Sequence, residues 1–145
     1  MAGVHAALAV VVLVANLLAG VWGGVAWLRR EPSVIFWYLL RAAQVVVVIQ
    51  VVIGVLLLGS GRRAPDALHV LYGVAPLVVA LVSEAMRVGA AQRELADVED
   101  IEALERRDQA VIARRVVRRE MGIMAVGALL IVTLALRAAS TGGLF

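Results

Sequence analysis

Cysteine and lysine are both missing from this 145-residue chain, and aromatic residues make up only 5% of it. Without cysteine there is no disulfide, no iron–sulfur cluster and no thiolate metal site. Charge is sparse as well. Charged residues account for 17% of the chain against 63% hydrophobic ones, and the mean hydropathy of +0.95 lies far above that of an ordinary globular domain. The basic residues are all arginine and lift the pI to about 10.5. A nucleic-acid binder needs a solvated basic face with aromatic platforms, so nucleic acid is not an expected partner. Short alternating segments of the kind that build a membrane β-barrel are also missing.

What the chain has instead is four long apolar runs, at residues 4–28, 34–58, 67–83 and 121–136. Each is near the roughly 17–25 residues that a helix needs to cross a bilayer. Helices are favoured there because a helix satisfies its own backbone hydrogen bonds where no water is available. The first run lacks a basic leader and a small-residue cleavage site, so it is expected to stay as a span rather than be removed as a secretory signal. The turn Arg29-Arg30-Glu31-Pro32 separates runs one and two, and 59–66, rich in glycine and proline, separates two and three. Such short turns force neighbouring helices to run antiparallel. The expected fold is therefore all-α: one integral membrane domain over residues 1–145, an up-down-up-down four-helix bundle.

Eleven arginines fall on one side of this arrangement (Arg29, Arg30, Arg41 and the eight from Arg87 to Arg119), against Arg62, Arg63 and Arg137 on the other. The positive-inside rule makes the arginine-rich side cytoplasmic and sends both termini outward. Trp27, Trp37 and Tyr38 then form an aromatic belt at the inner boundary. Arg41 either snorkels to that boundary or turns into the bundle.

Residues 84–120 are the one sizeable polar stretch, with no proline and a single glycine. Apolar stripes at Val88, Ala91, Leu95 and Val98 and at Ile101, Leu104, Val111 and Ile112 predict a cytoplasmic helical hairpin between helices 3 and 4, turning near 97–100. Seven acids and two arginines lie between Glu94 and Asp108, whereas Arg114, Arg115, Arg118 and Arg119 crowd next to the fourth span. That basic part suits anionic headgroups.

Only two histidines occur, His5 and His69, each a few residues inside the same end of spans one and three. The stripe running from His5 through Ala9, Val12, Asn16, Gly20 and Gly23 carries small and polar residues. So does the one from His69 through Tyr72, Gly73, Pro76, Ala80 and Ser83. Both stripes have the character of bundle-facing surfaces. Two imidazoles at one depth, on one side and on inner faces, suit the axial ligation of a haem iron, with His5 and His69 as the metal ligands. Zinc and copper suit the pair less, because two histidines leave coordination positions empty. Arg62, Arg63 and Arg137 sit where haem propionates would emerge, and helix-end anchoring is the competing account of them. Gln44 and Gln50 are expected to hydrogen-bond between helices, and Gly54 to leave room for a flat ligand.

The run Gln50-Val51-Val52-Ile53-Gly54-Val55-Leu56-Leu57-Leu58-Gly59, followed by Leu68-His69-Val70-Leu71-Tyr72-Gly73, resembles small membrane-bound b-type cytochromes and each four-helix half of haem A synthase. The resemblance implies haem b, with His69 as one axial ligand and His5 as the other. It does not extend to the acidic residues expected of a haem-modifying catalyst, so electron transfer is expected rather than stand-alone catalysis. A quinol or another subunit of a membrane complex would be the redox partner. Two other readings stay open. One is a cofactor-free accessory or scaffold subunit of a larger membrane complex. The other is a transporter or channel built around Glu84, Arg41 and Asn16.

Overall fold

A computed structural model describes residues 2–96, 98, 100–142, and its regular structure is helical throughout, with no strand among the described residues. Four helices follow one another: α1 (Ala2–Arg29), α2 (Val34–Gly59), α3 (Ala67–Leu95) and α4 (Arg106–Thr141). Each is long and apolar enough to cross a membrane. Their outer faces carry large exposed aliphatic side chains, among them Val14, Leu18, Val52, Val78 and Leu130. Water would penalise such a surface, whereas lipid chains are as apolar as the side chains themselves.

Local chemistry sets the helix starts. Ser33 caps α2 by accepting the Phe36 amide N–H at 3.2 Å, and the Trp22 indole donates to the same hydroxyl at 2.9 Å, which ties the turn back onto α1. Asp66 caps α3 by accepting the amide N–H of His69 at 2.6 Å. The intervening turn uses Gly61 at φ 85°, a left-handed conformation that suits glycine.

Close approach is made by glycine. A Cβ at Gly20 would stand 2.7 Å from the Leu129 side chain, and one at Gly122 would stand 2.7 Å from the Trp27 indole. These two contacts pair α1 with α4, the numbering rising in one helix as it falls in the other. Gly23 leaves space for the Phe36 ring, which is fully buried. The core that results has two parts. One surrounds Phe36, Leu40, Met121 and Met124; the other is a layer of Val12, Val47 and Ile131. The expected inner face of α1 is the buried one, since Val12, Asn16, Gly20 and Gly23 are all buried.

The polar stretch 84–120 is not a separate element. Its arms continue α3 and α4 without a break at residues 83/84 and 120/121. At 1.5 Å per residue α4 is about 54 Å long, so it exceeds a hydrocarbon core of about 30 Å by several turns. Of the expected stripes, Val88, Ile101 and Val111 are exposed, whereas Ala91, Leu95, Val98, Leu104 and Ile112 are half-buried and Ala90 is buried. Glu94 pairs with both Arg115 and Arg119, a contact that an all-apolar stripe does not anticipate. Of the expected turn at 97–100, Asp97 and Glu99 lie outside the described residues.

Gly23→Leu is expected to destabilise the bundle by roughly 1–3 kcal/mol, because a rigid buried ring cannot give way. Gly24→Leu, one position on and with nothing within 4 Å of its would-be Cβ, should be neutral. Thermal midpoints of the two variants in detergent check this, and equal midpoints would contradict the packing.

Candidate functional site

α2 and α3 are the loosest neighbours in the bundle, and the polar contacts across their seam gather at one end. There Arg41 and Gln44 of α2 meet Glu84 of α3, with the Gln44 amide donating to the Glu84 carboxylate at 2.9 Å and the Arg41 guanidinium pairing with it. Arg87 donates to Glu84 at 2.8 Å and to Glu120 of α4 at 3.2 Å, and lies 5.8 Å over the Trp37 ring. Arg41 has thus turned to the seam. Toward the other end the two helices part around a cavity of about 360 Å³. That volume lies within the about 300–1,000 Å³ of small-molecule and cofactor sites. Pro76 is buried in the cavity wall and leaves the Tyr72 carbonyl without its helical N–H, a local weakening of α3 at this level.

His5 and His69 both line this cavity, their ring centroids 6.4 Å apart and their planes at 61°. Each imidazole rests on a glycine of a neighbouring helix. A Cβ at Gly54 of α2 would lie 3.3 Å from the His5 ring, and one at Gly142, the residue that ends α4, would lie 2.9 Å from the His69 ring. The space expected over Gly54 for a flat ligand is therefore taken by His5 itself.

His69 is held twice. Its backbone N–H is fixed by Asp66, and its Nδ1–H donates to the Ala138 carbonyl at 3.0 Å. Donation from Nδ1 selects the tautomer in which Nε2 keeps a free electron pair, the usual state of a metal-binding histidine. His5 is held poorly. Its Nε2 stands 3.5 Å from the Gln50 amide nitrogen, at the limit of a hydrogen bond, while its Nδ1 and the Gln50 Oε1 are buried without any partner. Buried polar atoms without partners are costly.

Arg62 and Arg63 line the cavity from the α2–α3 turn. Arg137 does not line it. Its guanidinium sits 5.9 Å over the ring of Tyr72, which does, so it stands one layer behind. Sequence reasoning missed three supports of the site: the Asp66 cap, the Ala138 carbonyl and Gly142. Only the first has a local signature, an aspartate three residues before the histidine at a helix start.

Chemically, the site offers two imidazoles, two guanidinium groups, the Gln50 amide and Tyr72 on a mainly apolar wall. No cluster of three or more metal-ligating side chains exists among the described residues. Comparison with protein-family models, curated proteins and solved structures finds no match.

Nitrogen NMR of the ligand-free protein at mildly alkaline pH is expected to show His69 as the Nδ1–H tautomer. An Nε2–H tautomer would contradict the Ala138 bond.

Proposed function

We propose that this chain is a small membrane b-type cytochrome, in which His5 and His69 hold one haem b between them at the end of the bundle that carries Arg62 and Arg63. The observation that carries the reading is the pair of neighbouring imidazoles on one cavity. Two imidazoles that share one metal at about 2 Å per nitrogen have ring centres about 6 Å apart, and here the separation is 6.4 Å. The partnerless His5 Nδ1 and Gln50 Oε1 support it as well, since a ligand that draws His5 toward the cavity relieves an imidazole that is badly satisfied where it lies.

The residues have distinct roles in this proposal. His69 arrives with its tautomer already set by Ala138 and supplies a fixed nitrogen. His5, on the opposite wall, supplies the adjustable one. Arg62 and Arg63 pair with the two carboxylates of the ligand, and Arg137 adds positive potential from behind Tyr72. Val12 and Val47 close the inner end of the cavity and keep water from it. Haem bound there supplies a one-electron redox centre. A single centre at one end of the bundle does not take electrons across a bilayer, so a quinol or a partner subunit serves as donor or acceptor within a larger assembly. The electron-transfer role makes the chain a subunit rather than a stand-alone enzyme.

Topology belongs to the same proposal. The bundle runs up-down-up-down, with the arms of α3 and α4 in the cytoplasm and both termini, the cavity and the histidines on the outer side. The eleven-to-three distribution of arginine supports that orientation. Single cysteines placed at Ala2 and Asp100 test it in intact cells. Labelling at Ala2 alone is expected, and labelling at Asp100 alone would reverse the orientation.

The cytochrome reading predicts a purified protein with a strong Soret band and sharp α and β bands on reduction, as a six-coordinate low-spin iron gives. His5→Ala and His69→Ala should each abolish these bands or convert them to a high-spin form, while Arg62→Gln with Arg63→Gln should weaken retention without changing spin state. A colourless protein after expression with ample haem would rule the reading out and leave the scaffold in its place.

A further inference from the structure

Asn16 and Ser83 are the buried polar residues among those described, 1% and 7% exposed. They come together in the middle of the bundle, where with Gln44 they line a small, partly open cavity of about 10 Å³ whose other walls include Leu40, Met124 and Ile131. Asn16 donates its amide N–H to the Val12 carbonyl at 2.9 Å, which leaves its carbonyl oxygen for another partner. Ser83 places its hydroxyl against Gly127, where a side chain would collide with it. A cavity needs about 10–15 Å³ to hold a water molecule, and the water needs two to four polar partners. Asn16 and Ser83 supply two, beside Gln44, whose amide already bonds to Arg41 and Glu84.

This cavity adjoins the charged groups at the closed end of the seam. Gln44 donates to Glu84, Glu84 accepts from Arg87, and Arg87 donates to Glu120, so polar atoms run from the arginine-rich end of the bundle to Asn16 at the middle of α1. Beyond Asn16 they stop. Val12, Val47 and Ile131, each at most 3% exposed, form a layer between this cavity and the one that holds the histidines. Val12 and Val47 line the histidine cavity, and Ile131 lines the water-sized one.

We propose that the bundle contains a hydrated half-channel. Water reaches Asn16 from the arginine-rich end through the Glu120–Arg87–Glu84–Gln44 groups, and the Val12–Val47–Ile131 layer closes it toward the histidine cavity. Intramembrane ionisable and amide groups are expensive unless they pair with one another or line a water-filled path, and an apolar layer such as this one stops water and protons by dewetting. The half-channel up to this layer does not depend on what the histidines bind, but the exit beyond it does, so the test uses the ligand-free protein.

The test opens the layer. In vesicles of phosphatidylcholine and phosphatidylglycerol with a trapped pH-sensitive dye, the wild-type protein should hold a proton gradient at the background rate. Val47→Ser with Ile131→Ser should leak protons clearly faster than that background, and adding Asn16→Leu should return the leak to background. A folded double variant as tight as wild type, or a leak untouched by Asn16→Leu, would overturn the proposal. If the double variant does not fold, the wild type decides. Its Asn16 side-chain amide should show magnetisation transfer from water by NMR, and a dry Asn16 amide would overturn the half-channel.

Discussion

Inside a bilayer a polar side chain has no water to turn to, and that constraint arranges everything else in this bundle. Each amide, hydroxyl, imidazole and charge within the spans has to find its partner on a neighbouring helix or around a cavity. Lipid exerts no hydrophobic pull between helices, so close packing has to come from small residues. The two demands meet on α1, where Asn16 shares a face with Gly20 and Gly23. The glycines bring α4 and the Phe36 ring of α2 close to α1.

The α2–α3 seam shows the outcome most plainly. At one end Arg41, Gln44, Glu84, Arg87 and Glu120 satisfy one another across three helices. At the other end nothing comparable closes the gap, and the histidines stand on its walls with one of them partly unsatisfied. The Val12–Val47–Ile131 layer lies between. Polar pairs across three helices hold one end of the bundle, whereas the other opens into a cavity. The proposed haem and the proposed half-channel are separate responses to the same division.

Much of this architecture was legible in the sequence because lipid makes the rules simple. Apolar length gave the spans, and the mix of small and polar residues from His5 to Gly23 gave the inner face of α1. The junctions at 83/84 and 120/121 were harder. There the composition changes from apolar to polar, which reads as the edge of an element, yet no proline or glycine interrupts the helix and the backbone continues. Pairings between distant residues left no local trace. Glu84 finds Arg41 from 43 residues away, and the Ala138 carbonyl that orients His69 lies 69 residues from it. Gln44 meets the expectation of an interhelical hydrogen bond, while Gln50 reaches only the edge of one, at His5.

The central claim is that His5 and His69 act as a pair on one ligand. Haemin titrated into the ligand-free protein in detergent measures this directly. The account predicts saturation at one haem per chain with a low-spin spectrum in the wild type, and no saturable binding in the His5→Ala, His69→Ala double variant. Equal uptake by the double variant, with unchanged bands, would contradict it.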